Sequence, residues 1–280
     1  PYHRYVHVLK WLTLSLLAYV GVVFAVAIDW NAVLRGMLWP QLTWSRDALI
    51  AIVAVFGTTI SPYLFFWQSA EEVEEELLAG DGPLLDHPEQ APAELDRIAW
   101  DTYIGMAFSS LISFFIVLTT AVTLHTSGIT DIATSAEAAQ ALRPIAGDFA
   151  FFLFSLGIVG TGLLALPVLA GSAAYAIGEL RGWRIGLEQK PENAKAFYGV
   201  IALAFALGLL MLFLPIDPIK ALFWSAVLNG VIAVPLMVAT MVVVSSPKHL
   251  GRYVAPPLLK AVGWTATAVM AAAALAMFVL

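Results

Sequence analysis

The chain has 280 residues, 60% of them hydrophobic and 12% charged, with a mean hydropathy of +0.85. Soluble domains are about a quarter charged, so this composition excludes a soluble globular protein and points to an integral membrane protein. With no cysteine, disulfides, zinc thiolates and iron–sulfur clusters are excluded, and no basic stripe is present to bind nucleic acid. The net charge is −6, but eleven of the twenty acidic residues fall between Glu71 and Asp101, so the charge is a local feature.

A helix needs about 20 apolar residues to cross the hydrocarbon core. Seven stretches qualify: roughly Leu9 to Ile28, Ala48 to Ser69, Thr102 to Leu124, Phe149 to Ile177, Phe197 to Ile216, Ile219 to Val244 and Leu258 to Leu280. The fifth and sixth are joined by a tight hairpin at Pro215-Ile216-Asp217-Pro218. The segment Ser135 to Ile145 is helix-prone but too polar to span, and reads as a short outer helix at the interface. Gly80 to Arg97, with Pro83, Pro88 and Pro92, reads as a cytoplasmic connection. The acidic run at 71–76, EEVEEE, reads as a solvated helix end rather than a cation funnel. Glycines in the fourth span allow close helix packing and are assigned no chemistry.

Basic residues set the orientation. Ten of the fourteen (Arg4, Lys10, Arg97, Arg181, Arg184, Lys190, Lys195, Lys248, Arg252, Lys260) fall on one side, and four (Arg35, Arg46, Arg143, Lys220) on the other. The richer side is expected to be cytoplasmic, with the N-terminus inside and the C-terminus outside. Trp30, Trp39, Trp44 and Trp224 near outer ends, and Trp11, Trp100 and Trp183 near inner ends, fit an interfacial belt. Pro1 reads as an arbitrary start and the last span runs to Leu280, so a piece of a longer chain is expected.

The second span is broken. An apolar run is interrupted by Gly57-Thr58-Thr59-Ile60-Ser61-Pro62 and resumes as an aromatic segment. Non-helical backbone at membrane depth needs protein or a cavity to satisfy it, and transporters hold substrates at such breaks. The first half-helix would end near Thr58 to Ile60 with free carbonyls and the negative end of its dipole, which suits a cation. Pro62 fits the first turn of the second half, where no amide is needed. A kink whose backbone is satisfied from within fits the same spacing, and the residues leave both open. No Ser/His/Asp, zinc-ligand or phosphate-loop arrangement stands out, and the five histidines fall at span ends or in loops, so no enzyme is expected. Away from their ends, the spans carry no Asp, Glu, Lys, Arg or His. A dehydrated divalent cation needs anionic ligands as well as carbonyls, and this chain offers none at that depth.

The segment GTTISPYLFFWQSAEEVEEE resembles the sixth helix of the Nramp family of divalent-metal transporters, with its Ala-x-x-Met-Pro-His signature. IAWDTYIGMAFSSLISFFIV, entered through Asp101, is similar to the seventh helix. AAQALRPIAGDFAFFLFSLGIVGTGLLALPVLAGSAAYAIGE is similar to the eighth with its preceding outer helix, ALFWSAVLNGVIAVPLMV to the tenth, and VLKWLTLSLLAYVGVVFAV to the fifth. The resemblance covers essentially the whole chain, as helices five to eleven. It implies an all-α membrane protein with the LeuT-type inverted-repeat fold, here partial. A single transmembrane domain, 1–280, would hold a second repeat over about 46–244 and flanking spans at 9–28 and 258–280.

The resemblance further implies a multi-pass cell-membrane transporter moving manganese, iron or magnesium by alternating access. The divalent ion would be its substrate and the bilayer its surroundings, with no cofactor. The acidic ligand would come from an Asp-Pro-Gly motif in helix one, so helices one to four would be a missing partner of this segment. Thr58 and Ser61 fall where the family places a carbonyl and a methionine ligand. Tyr63 and Gln68 fall where it places histidines, and Thr59 and Pro62 complete the path. Asn229 is the candidate for the tenth helix's amide. Hydroxyl and carbonyl oxygens favour harder ions than a thioether does. The family's ninth-helix arginines, part of a proton route, have no counterpart between Phe197 and Leu214. Two other readings remain: a transporter of the same fold for an organic substrate such as an amino acid, and a non-transporting membrane sensor or interaction subunit.

Overall fold

A computed structural model describes residues 16–40, 45–79, 85–129 and 131–279. All regular structure among them is helical: α1 (Leu17–Ala25), α2 (Trp30–Leu38), α3 (Arg46–Thr59), α4 (Pro62–Ala79), α5 (Ala91–Thr120), α6 (Ser135–Arg181), α7 (Lys195–Met211), α8 (Pro218–Ser245), α9 (Pro247–Leu250) and α10 (Pro257–Val279). A π-helical turn, Ala121–His125, extends α5. Five stretches among the described residues are long and apolar enough to cross a membrane: Arg46–Leu77 across the break, Ala91–His125, Gly147–Arg181, Pro218–Ser245 and Pro257–Val279. The first seven residues of the expected first span, 9–15, are undescribed, its remainder forms α1 and the stretch after it, and Trp11 and Trp44 also lie outside the described set.

The fifth expected span is shorter as a helix. At 17 residues, α7 would rise only about 25 Å, less than the hydrocarbon thickness of about 30 Å. The chain continues through i→i+3 bonds from Leu212, Phe213 and Leu214 to the carbonyls three residues back, at 3.1, 3.0 and 3.2 Å. This tighter winding rises faster per residue and carries the chain on to Pro215. Asp217 then caps α8, its carboxylate accepting from the amides of Ile219 and Lys220 at 2.9 and 3.1 Å, with Pro218 opening the first turn.

Two expected boundaries move. The connection expected to reach Arg97 ends earlier, because α5 begins at Ala91; Pro92 is tolerated in a first helical turn. The outer helix at 135–145 and the fourth span run on from one another through a bend at Gly147, whose φ of 84° only glycine adopts easily. Thr134 caps its start, accepting from the Glu137 amide at 3.1 Å, and Arg143 and Asp148 pair across the bend.

Packing sorts the helices into two groups. In the first, α3, α8 and α10 meet around Leu49, Val53, Ala226, Val227 and Met277. In the second, α1, α5 and α6 enclose Tyr19, Val22, Ile112, Ala150 and Phe154. The second group continues through α4, α6 and α7 around Ala70, Ala174, Tyr175 and Phe197. The two halves of the broken span therefore belong to different groups.

The acidic run is a partly exposed helix end that also makes specific ties. Because α4 stays helical to Ala79, the spacing puts Glu72 and Glu75 one turn apart, where both pair with Arg97 of α5 at 2.7 and 3.4 Å. Glu94 and Asp101 join the same guanidinium at 2.8 and 3.7 Å. Glu74, partly buried, instead points at α6 and hydrogen-bonds the Tyr175 hydroxyl.

Candidate functional site

Ser45 starts α3, its hydroxyl accepting from the Ala48 amide at 3.2 Å. The helix ends at Ile60, whose φ of −106° and ψ of 69° leave the helical region. Pro62, buried, then opens α4. The break sits where α3 comes closest to another backbone. Gly57 lies against the Ala226 carbonyl and the Gly230 backbone of α8, and a Cβ at Gly230 would stand 2.5 Å from the Val53 carbonyl. No side chain fits at this crossing, which is why both positions are glycine.

The carbonyls freed at the end of α3 are not bare. Ser61, only 3% exposed, turns its hydroxyl back to the carbonyls of Thr58 at 2.9 Å and Gly57 at 3.2 Å. Thr58 and Thr59 donate to the Val55 carbonyl at 2.7 and 3.0 Å. The Leu64 amide reaches the Ser61 carbonyl at 3.0 Å. A carbonyl has two lone pairs and a hydroxyl keeps acceptor capacity after donating, so these oxygens still have capacity for a cation.

Thr58 and Tyr63 line a cavity of about 430 Å³ with Ser109, Ser113 and Ile116 of α5 and Thr161 of α6. Thr161 donates to its own Gly157 carbonyl at 2.7 Å. The lining holds, among the described residues, hydroxyls and apolar surface, with no ionisable group except the Tyr63 phenol. Among the described residues, no group of three or more His, Cys, Asp or Glu is arranged to hold a metal ion. The other expected site residues stand apart from this cavity. Thr59 is exposed beside the break, and Ser61 and Pro62 form the buried elbow. Gln68 lies farther along α4 and makes a long 3.4 Å contact with Thr102. Asn229, half-buried, precedes Gly230 at the α3–α8 crossing.

Ser109, Ser113 and Thr161 are the lining residues that sequence reasoning passed over. The i,i+4 spacing of Ser109 and Ser113 puts them on one helix face, but hydroxyls at such spacing are common in membrane helices and usually bond back to their own backbone.

Residues 1–280 match the family described as natural resistance-associated macrophage protein-like. Similar proteins include the divalent metal cation transporter MntH of Caldanaerobacter subterraneus, 23% identical over 249 residues that cover 88% of this chain and 54% of that protein. The protein of the same name from Klebsiella pneumoniae is 21% identical over 261 residues, covering 91% of this chain and 58% of its own length. That of Yersinia enterocolitica is 31% identical over 139 residues, covering 49% and 31%. The chain thus spans a little over half the length of the first two relatives. With the family matched from end to end, this chain belongs to the Nramp family.

Proposed function

We propose that this chain forms the oxygen-donor half of a divalent-metal transporter working by alternating access. The observation that carries this reading is the break at Ile60–Ser61, opening through Thr58 and Tyr63 onto a hydroxyl-lined cavity, in a chain of the Nramp family. The relatives named above are divalent metal cation transporters. Thr58 and Ser61 would offer oxygen to the ion, Thr59 and Pro62 would shape the elbow, and Tyr63 and Gln68 would line the inner path. Asn229 would meet the ion or its water from α8. The partial fold would be LeuT-type, with the second repeat over about 46–244. The N-terminus would be cytoplasmic and the C-terminus outside, in the cell membrane.

Among the described residues no carboxylate lines the cavity, so a bare divalent ion would need an acid from elsewhere in the protein. An upstream apolar segment carrying Asp-Pro-Gly would supply it. The donors on this side are hydroxyl and carbonyl oxygens without a thioether, which favours hard or partly hydrated ions such as magnesium or manganese over softer ones. The same uncharged lining would suit a small organic substrate, the second reading. Uptake assays on the full-length protein separate the two: flux of magnesium, manganese or iron supports the metal reading, and flux of none of them overturns it.

A further inference from the structure

With Ile60 outside the helical region and Pro62 lacking an amide, the helical ladder does not run unbroken from α3 into α4. The tilt of α4 must therefore be set by what it packs against. Trp67 sits over α6 at Gly171 and meets Tyr175 edge-on, with ring centroids 5.9 Å apart. One turn on, Ala70 is buried with Ala174 and Phe197. Glu74 completes this face. Its Oε1 accepts from the Tyr175 hydroxyl at 2.6 Å and from the Leu187 amide at 3.1 Å. Leu187 belongs to the turn at 182–194 that links α6 to α7, and the same turn is pinned by the Tyr198 hydroxyl, which reaches the carbonyls of Leu187 and Gln189 at 3.1 and 2.9 Å. The approach requires Gly186, whose φ is +127° and where a Cβ would stand 2.7 Å from Glu74 Oε1.

The geometry points to Glu74 as a positioning residue. It is a latch that fixes the tilt of α4 against α6 and the 182–194 turn, and so sets the shape of the cavity lined by Tyr63 and Leu64. One carboxylate oxygen joins α4, α6 and the turn, and Tyr198 carries the tie on to α7. The other oxygen, Oε2, is buried and takes no hydrogen bond, so Glu74 holds through Oε1 alone, while the Leu187 amide also reaches the Tyr175 hydroxyl at 3.2 Å. Glutamine keeps that acceptor and alanine removes it. The latch stands whatever the cargo is, because its test reads local opening rather than flux.

The test is amide hydrogen exchange on the protein in lipid nanodiscs, comparing wild type with Glu74→Ala, Glu74→Gln and Tyr175→Phe. A hydrogen bond to a charged group holds a structure shut by roughly tenfold to a hundredfold. Glu74→Ala is expected to speed exchange by about that factor in two stretches together, 71–77 and 182–190, while α3, α8 and α10 stay unchanged. Tyr175→Phe, which leaves the aromatic packing in place, is expected to show the same pattern at smaller amplitude, and Glu74→Gln, which keeps the Oε1 acceptor but loses its charge, to fall between wild type and Glu74→Ala. Acceleration confined to the turn overturns the latch. So does uniform acceleration of all helices in both Glu74→Ala and Tyr175→Phe, or no change in either.

Discussion

At Ser61 a single hydroxyl stands where two carbonyls of α3 run out of helical partners. Removing it leaves buried acceptors with less than their due. Ser61→Ala is expected to lower the protein's stability by about 1–3 kcal/mol, read as a drop in unfolding temperature in detergent. Ser61→Met asks a different question. If Ser61 touches the ion, a thioether there shifts preference toward softer metals, and unchanged selectivity in competition uptake removes Ser61 from the site. One turn earlier, Gly57 leaves no space for even a methyl group against α8. Gly57→Ala is expected to cost about 1–3 kcal/mol through overpacking, with the loss appearing in the same thermal measurement. That glycine was legible in the sequence only as part of a break. Its role as the contact point with Gly230 depends on a helix more than 160 residues away in the chain.

The breaks at Pro62 and at Asp217-Pro218 were readable in the sequence because their signals are local, whereas the starts at Ser45 and Ala91 were not. Pro62 and Asp217 with Pro218 each mark a start by chemistry confined to one turn. Asp217 also gives a pH prediction. The Lys220 amide, with further help from the Lys220 side chain and the Ile219 amide, holds its carboxyl below the ordinary 3.8. A carboxylate with a depressed folded pKa contributes stability that is fully present above its unfolded pKa and lost as pH falls through the folded one. Thermal stability is therefore expected to decline below about pH 4 with a component that Asp217→Asn abolishes, since asparagine caps without titrating. The acidic end of α4 was not readable in this way. Glu74 is indistinguishable from its neighbours by composition, and its partners Tyr175 and Leu187 lie 101 and 113 residues downstream. The cavity lining was hidden for the same reason: Ser109, Ser113 and Thr161 meet Thr58 only once three helices have packed.

Over the whole molecule, the two halves of the broken span fall into separate packing groups, α3 with α8 and α10, and α4 with α6 and α7. That places the break between the two packing groups, where the proposed alternating access would require relative movement. The proposed orientation is open to a direct check, because the chain has no cysteine. With single cysteines introduced by Ser127→Cys and Arg252→Cys, an impermeant maleimide added outside intact cells is expected to label only the first. Labelling of the second alone would invert the topology. The central claim, that this segment supplies the oxygen side of a divalent-metal path, is met most directly by uptake of magnesium, manganese and iron into proteoliposomes of the full-length protein. The account predicts flux of divalent ions with the harder ones favoured; no flux of any divalent ion would contradict it.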